Sequence, residues 1–400
     1  MSPGGALSPG GALRFALLAL LALPLASALS PRSRAGSARL TRRPGSSGDP
    51  PGWLARRLDP LTAGASSYSE PETTRMVWLA GAAYCDAGLA SWQCLYCNGT
   101  RVSDVSVFAS EPKNVRGYVG WDLDRARAIV AFRGTEPSSL ENWLSNLDAA
   151  HAVWAVGDGP TRETLRVHAG FLDAYEAVRD DIFAALARVA ARRHPAANGG
   201  PLPVAVTGHS LGGALATLAA YELQKYGFDY GDGPSDGAAE IVGAWTFGSP
   251  RVGDAAFAET YGDALAEATW RITHAHDVVP SVPVRLMGYH HVPTEVFYAV
   301  KEEGQGGGRV GGGDGEREAA AEEEAEEEDP GETTTTTPTP TREEEEGGTS
   351  SSSRRRRESA PPRVCDGTGE DVTCSDGEWT HTSVIDHLYY LDTYICGCNI

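Results

Sequence analysis

The chain has 400 residues, a formal net charge of −20 at pH 7 and 41% hydrophobic residues. That length and apolar content suit one large core, while the acidity argues against nucleic acid or an anionic membrane surface as the main partner. The charge is uneven: residues 301–362 carry −10 and residues 1–57 carry +7, which leaves −17 on the rest.

At the N-terminus, Arg14 precedes the apolar run FALLALLALPLASA, which ends in Ala26-Ser27-Ala28. The run is short for a membrane span, and its small-x-small end predicts a signal peptide over residues 1–28, with a membrane anchor as the alternative. No later run approaches the roughly 20 apolar residues of a spanning helix. Residues 29–57 are rich in Arg, Pro, Gly and Ser and hold the pairs Arg42-Arg43 and Arg56-Arg57. They read as a propeptide with processing sites or as a disordered basic tail.

Residues 58–300 and 363–400 have the composition of one folded unit. Short apolar runs that end in glycine or proline predict strands at Arg127–Gly134, Pro203–Gly208, Ile241–Pro250 and Thr269–Pro280. Between them, Leu172, Tyr175, Val178, Ile182, Leu186 and Val189 recur at three and four residues, which predicts a helix over Phe171–Arg193. Good helix formers follow at Leu211–Gln224. Strands alternating with helices predict an α/β fold, a mainly parallel sheet with helices on both faces. Glycine repeats, glutamate runs and a threonine tract make residues 301–362 a disordered acidic insertion. The chain becomes foldable again with Trp379, Val384, Ile385, Leu388 and Tyr390.

The sequence GHSLG, Gly208–Gly212, sits where an apolar strand gives way to a helix. This is the G-x-S-x-G turn that exposes a serine nucleophile above a sheet, and it needs glycine where bulkier side chains would clash. The following helix points its N-terminal N–H groups toward developing negative charge. A nucleophilic Ser210 needs a base, and the base needs an acid to orient it. Asp277, just past a predicted strand, is the candidate acid; its plain alternative is a capping residue. His290, His291, His381 and His387 all follow it, and sequence chemistry alone leaves the choice among them open.

Seven cysteines in an exported chain favour disulfides over metal. Cys94-x-x-Cys97 also has the spacing of a zinc or redox pair, but no second ligand pair accompanies it, and one of the seven thiols is left over.

From about Tyr84 to Cys398, outside the insertion, the chain resembles the class 3 lipases of filamentous fungi, the Rhizomucor miehei and Thermomyces type. The resemblance rests on FRGT at Phe132–Thr135, ENWLSNL at Glu141–Leu147, VHAGFLDAY at Val167–Tyr175, VAVTGHSLGGA, GSPRVGD at Gly248–Asp254, HDVVPSVP, and TSVIDHLYYL at Thr382–Leu391. It implies an α/β-hydrolase fold and a Ser210, Asp277, His387 triad, and it sets His290 and His291 aside. It also implies an oxyanion hole formed by Thr135 and by the N–H of Leu211, while His209 has no role beyond packing beside the turn. The family's bridges imply Cys94–Cys97 and Cys365–Cys374, with Cys85 paired to Cys398 at the family's distance from His387, or else to Cys396.

Leu140, Trp143, Leu144 and Leu147 recur at helical spacing, as in any core-facing helix. The resemblance makes residues 138–147 a lid with an apolar face. TEPSSLENW is about two residues longer than the family's interval, and Pro137 stiffens that hinge. The expected protein is thus a secreted, monomeric serine hydrolase of carboxylic esters that needs no cofactor or metal and meets its lipid at an oil–water interface. Triacylglycerol is the preferred substrate. The alternatives are a feruloyl-type esterase or a phospholipase on the same fold, or a non-catalytic lipid-binding relative. Asn98-Gly99-Thr100 is a glycosylation sequon.

Overall fold

The computed structural model describes residues 68–157, 162–193, 200–228, 238–300, 361–378 and 381–399. The predicted signal peptide, the basic tail and the insertion up to residue 360 lie outside the described residues.

An eight-stranded sheet organises the described chain in the order β1-β2-β3-β6-β7-β9-β11-β12. Its middle strands β3 (Arg127–Phe132), β6 (Leu202–His209), β7 (Ala239–Phe247), β9 (Thr269–His274) and β11 (Glu295–Tyr298) run parallel. The four strands predicted from apolar runs are β3, β6, β7 and β9, buried along most of their length, while β11 is not among the predicted strands. The edges differ from that pattern. Strands β1 (Val102–Ser110) and β2 (Val115–Asp122) pair antiparallel with each other, β2 pairs antiparallel with β3, and β12 (Arg363–Val364) closes the far edge antiparallel to β11. The partly exposed edge strand β1 and exposed β12 mix polar with apolar residues, and buried β2 is interrupted by Arg116, two glycines and Asp122, so none gives a continuous apolar run to read.

Helices α3 (Ala169–Arg193), α4 (Leu211–Tyr226) and α5 (Ala255–Leu265) pack into one core. A second core gathers α1 (Glu70–Ala82), Trp245, Phe247, Tyr390 and Ile395 on the other side of strands whose alternate residues serve both clusters. Helix α4 is apolar around its whole circumference, which suits a helix buried on every side. Its one acid, Glu222, is buried but accepts from Tyr175 Oη at 2.7 Å and from Arg179 Nε at 2.8 Å. A second, four-stranded sheet holds β4 (His151–Val156), β5 (Glu163–His168), β8 (Gly253–Asp254) and β10 (Tyr289–His290). No helix among the described residues is long and apolar enough to cross a membrane.

Disulfides join Cys85 to Cys398, Cys94 to Cys97 and Cys365 to Cys374, while Cys396 is a buried free thiol. Oxidised pairs offer no thiolate, so Cys94 and Cys97 are not a metal or dithiol site in this form.

Candidate active site

The register of the parallel strands brings four chain segments to one edge. Phe132 lies opposite Gly208, His209 opposite Phe247, and Phe247 opposite Ile272. The carboxyl ends of β3, β6, β7 and β9 therefore come out together, and the loops that leave them are neighbours.

Ser210 occupies the turn between β6 and α4 with φ 59° and ψ −129°, a backbone conformation that costs a non-glycine residue about 1–3 kcal/mol. The flanking glycines are there for space. A Cβ on Gly208 would strike the carbonyl of Gly212, and one on Gly212 would strike the carbonyl of Phe132 at the end of β3. The same closeness presses the Phe132–Thr135 loop onto the start of α4. Thr135 is buried there, and Leu211 is half-buried at the first position of the helix. Arg133 fixes the loop from outside, donating to Asn114 Oδ1 at 2.6 Å and pairing with Glu136 at 2.9 Å.

Asp277 follows β9 and is 2% exposed. Its Oδ1 accepts from Val279 N–H at 2.8 Å, and its Oδ2 accepts from His387 Nδ1 at 2.8 Å and from the Tyr390 hydroxyl. His387 lies on the short helix α6 (Val384–Leu388), whose start is capped by Ser383 Oγ accepting from Asp386 N–H at 2.9 Å. His274 Nδ1 donates to the Asp386 carbonyl at 3.1 Å, tying α6 to the end of β9. Gly248, at φ +57°, stands behind the pair. A Cβ there would lie 2.7 Å from Asp277 Oδ2, 2.7 Å from Tyr390 Oη and 2.8 Å from His387 Nδ1. Ser210 and His387 are both fully buried, and Ser210 Oγ and His387 Nε2 are left without a protein hydrogen-bond partner.

Helix α2 (Pro137–Asn146) follows directly on the Phe132–Thr135 loop. Pro137 takes the first helical turn, where a missing N–H costs nothing. Leu140 is fully buried, Trp143 stacks on Phe171 with ring centroids 6.5 Å apart, and Leu144 and Leu147 are half-buried. Glu141, Asn142, Ser145 and Asn146 face solvent. At the trailing end, Tyr289 Oη donates to the carbonyls of Ala149 and Ala150 at 3.1 and 3.2 Å.

The other histidines after Asp277 are not part of this cluster. His291 is buried and bonds the Pro280 carbonyl through Nε2 at 2.7 Å, and burial, then Arg271 and Arg251, hold it well below the usual imidazole range. His381 lines a cavity of about 210 Å³ with Arg251, Arg285, Asp376 and Glu378, a charged hollow that holds neither Ser210 nor His387.

Sequence reasoning missed Tyr390, Tyr84 and the need for Gly248. Tyr390 lies three residues after His387, within a quoted motif, but nothing in its type announces a bond to Asp277. His209, read as packing only, is hydrogen-bonded through both ring nitrogens.

A family model described as lipase (class 3) matches residues 129–287. A secreted mono- and diacylglycerol lipase of Fusarium solani is 33% identical over 225 residues, 54% of this chain and 60% of that protein. A lipase of Rhizomucor miehei is 29% identical over 244 residues, 60% of this chain and 61% of its own length. The match thus spans less than two thirds of either relative. Among solved structures, the Rhizomucor miehei triacylglyceride lipase superposes with a TM-score of 0.56 at 23% identity, over 84% of this chain and 98% of that one. That likeness carries the α/β fold.

Proposed function

We propose that the chain is a member of the class 3 lipase family, whose model matches residues 129–287, and a secreted serine hydrolase of carboxylic esters acting on acylglycerols. The observation that carries this reading is the buried pair of His387 Nδ1 and Asp277 Oδ2, at 2.8 Å, on the sheet edge that also presents an unpartnered Ser210 Oγ.

In the proposed reaction, Ser210 Oγ attacks the ester carbonyl carbon while His387 Nε2 accepts the hydroxyl proton. Asp277 keeps the Nδ1 proton on the far side of the ring and stabilises the imidazolium that forms. The tetrahedral oxyanion takes hydrogen bonds from the backbone N–H groups of Thr135 and Leu211; one such donor is worth about 3 kcal/mol. Collapse breaks the bond to the leaving alcohol, which takes the proton from His387. Water, deprotonated by the same imidazole, then attacks the acyl-serine and releases the acid. Tyr390 and the Val279 N–H hold the Asp277 carboxylate oriented, so the acid is not free to turn away from the base.

Helix α2 is read as the lid. Leu140 and Trp143 cover the site in water, and docking of a large apolar side chain contributes about 1.5–3 kcal/mol. An oil surface offers the same side chains another apolar partner. One chain supplies every group the mechanism uses, which favours a monomer working at that surface. Export is supported by three disulfides and by relatives described as secreted; residues 1–28 would be its signal and 301–362 an insertion outside the catalytic unit.

The test is hydrolysis of tributyrin across its solubility limit beside methyl ferulate, with the wild-type chain and Ser210→Ala. A rate that jumps once droplets form, and is lost in the variant, is the expected result. Smooth saturation with ferulate preferred would replace the lipase reading with a feruloyl-type esterase.

A further inference from the structure

Three segments from distant parts of the chain meet behind Ser210: the loop after β3, the end of β6 and the backbone of α6. One buried pair of side chains ties them together. Gly134 N–H donates to Tyr84 Oη at 3.1 Å, Tyr84 Oη lies 2.7 Å from His209 Nδ1, and His209 Nε2 lies 2.7 Å from the carbonyl oxygen of His387. Tyr84 and His209 are each 1% exposed.

Chemistry fixes the direction of every bond in this chain. A carbonyl oxygen only accepts, so His209 Nε2 carries a proton. Burial, and next the neighbouring His387 ring, push His209 well below the ordinary imidazole range, so the ring is neutral. Its Nδ1 is then an acceptor, Tyr84 O–H donates into it, and the Tyr84 oxygen is free to accept from Gly134. No donor faces a donor.

We propose that Tyr84 and His209 are positioning residues for ester hydrolysis, a neutral bridge that holds the oxyanion loop, the nucleophile turn and the backbone of the base in one register. The inference rests on the ester-hydrolase reading above. Gly134 precedes Thr135, so the hydrogen bond to Tyr84 fixes the peptide that aims the Thr135 N–H. His209 precedes Ser210, whose φ of 59° persists only where the surroundings over-determine it. The bond to the His387 carbonyl reaches the base through its main chain and leaves its ring to Asp277.

Two further observations fit. A Cβ on Gly134 would strike the Tyr84 hydroxyl and the His209 carbonyl and stand 2.9 Å from Ser210 Cβ, so the loop approaches as closely as any residue allows. The rings of His209 and His387 lie 4.4 Å apart, where a charged His209 would oppose the imidazolium that forms on His387 in each turnover. The Cys396 thiol, 3.9 Å from His209 Nδ1 and pushed by burial up to about 12, adds no charge either.

The experiment compares Tyr84→Phe, His209→Leu and His209→Gln with the wild-type chain on a short-chain p-nitrophenyl ester. Active sites are counted by titration with a p-nitrophenyl phosphonate, well below each variant's Tm. Displacing a catalytic group by about an ångström costs on the order of 100-fold in rate. The expected result is a fall of about 10- to 100-fold in kcat per titrated site for His209→Leu and Tyr84→Phe, with KM within about two-fold. His209→Gln, which keeps an N–H for the His387 carbonyl, recovers most of the loss. An unchanged kcat per site with a lowered Tm would overturn the inference and leave a purely structural bridge. Should His209→Leu fail to fold, Tyr84→Phe, which removes a single oxygen, decides the matter. A wild-type chain that hydrolyses no ester would instead sink the underlying reading, a result distinct from any difference among variants.

Discussion

Ser210 and helix α2, the proposed nucleophile and the proposed lid, are held in opposite ways. The serine sits at the junction of β6 and α4, and every residue of α4 from Gly212 to Leu223 is buried. In α2 only Leu140 is fully buried, and the helix start has no side-chain cap. Few apolar contacts and exposed backbone are the marks of a segment that opens at low cost, whereas a fully packed edge opens only with the whole fold. The groups proposed to keep their geometry through the reaction stand on the packed edge. The segment proposed to move has one deep anchor, a stacked tryptophan and a tyrosine at its trailing hinge.

The comparison is broken most severely at the packed edge. Ser210→Ala is expected to lower kcat by about 10⁶-fold, as loss of a triad nucleophile does, with the fold intact by circular dichroism. Gly248→Ala places a methyl group against Asp277, His387 and Tyr390 at positive φ; a fall of about 100-fold in kcat is expected, with a lowered Tm. A third prediction concerns acid. Burial holds His168 down at about 4 against an ordinary 6.5, and its Nδ1 accepts from the N–H groups of Gly170 and Phe171 at 3.1 and 3.3 Å. The unfolded chain therefore binds this proton first as pH falls. The stability is fully present above pH 6.5 and is lost on acidification toward pH 4, by about 2 kcal/mol at pH 5. His209 and His291, also held low by burial, act in the same direction. Denaturant midpoints at pH 7.5 and 5, with His168→Gln as control, check the slope. The smallest effect belongs to the proposed lid. Leu140→Ala removes its deep anchor, and a few-fold rise in activity on dissolved ester with a smaller jump at the droplet interface is expected.

The two regions also differ in how far the sequence disclosed them. The central strands are continuous apolar runs, and the spacing of Gly208, Ser210 and Gly212 is a steric requirement of the turn, so the candidate nucleophile is legible in one stretch of chain. His387 could not. Four histidines follow Asp277, and what selects one is the pairing of α6 with the end of β9 across the acidic insertion, a contact between distant residues that no local pattern encodes. Tyr84 and His209 were illegible for the same reason: their bonds join segments more than 100 residues apart. The antiparallel strands were missed because none has a continuous apolar run: β1 and β12 are partly or wholly exposed edges, and polar residues and glycines interrupt buried β2. The proposed lid is ambiguous in sequence because Leu140, Trp143, Leu144 and Leu147 have the spacing of any core helix; in the structure their unequal burial sets α2 apart from α4.

The central claim is that Ser210 is a nucleophile activated by His387, and covalent labelling tests it most directly. The chain is incubated with a p-nitrophenyl alkylphosphonate, digested, and searched by mass spectrometry for the phosphonyl adduct. The account requires one adduct per chain, on the peptide containing Ser210, and none on His387→Ala under the same conditions. Stoichiometric labelling elsewhere, or ester hydrolysis that persists in Ser210→Ala, would contradict it.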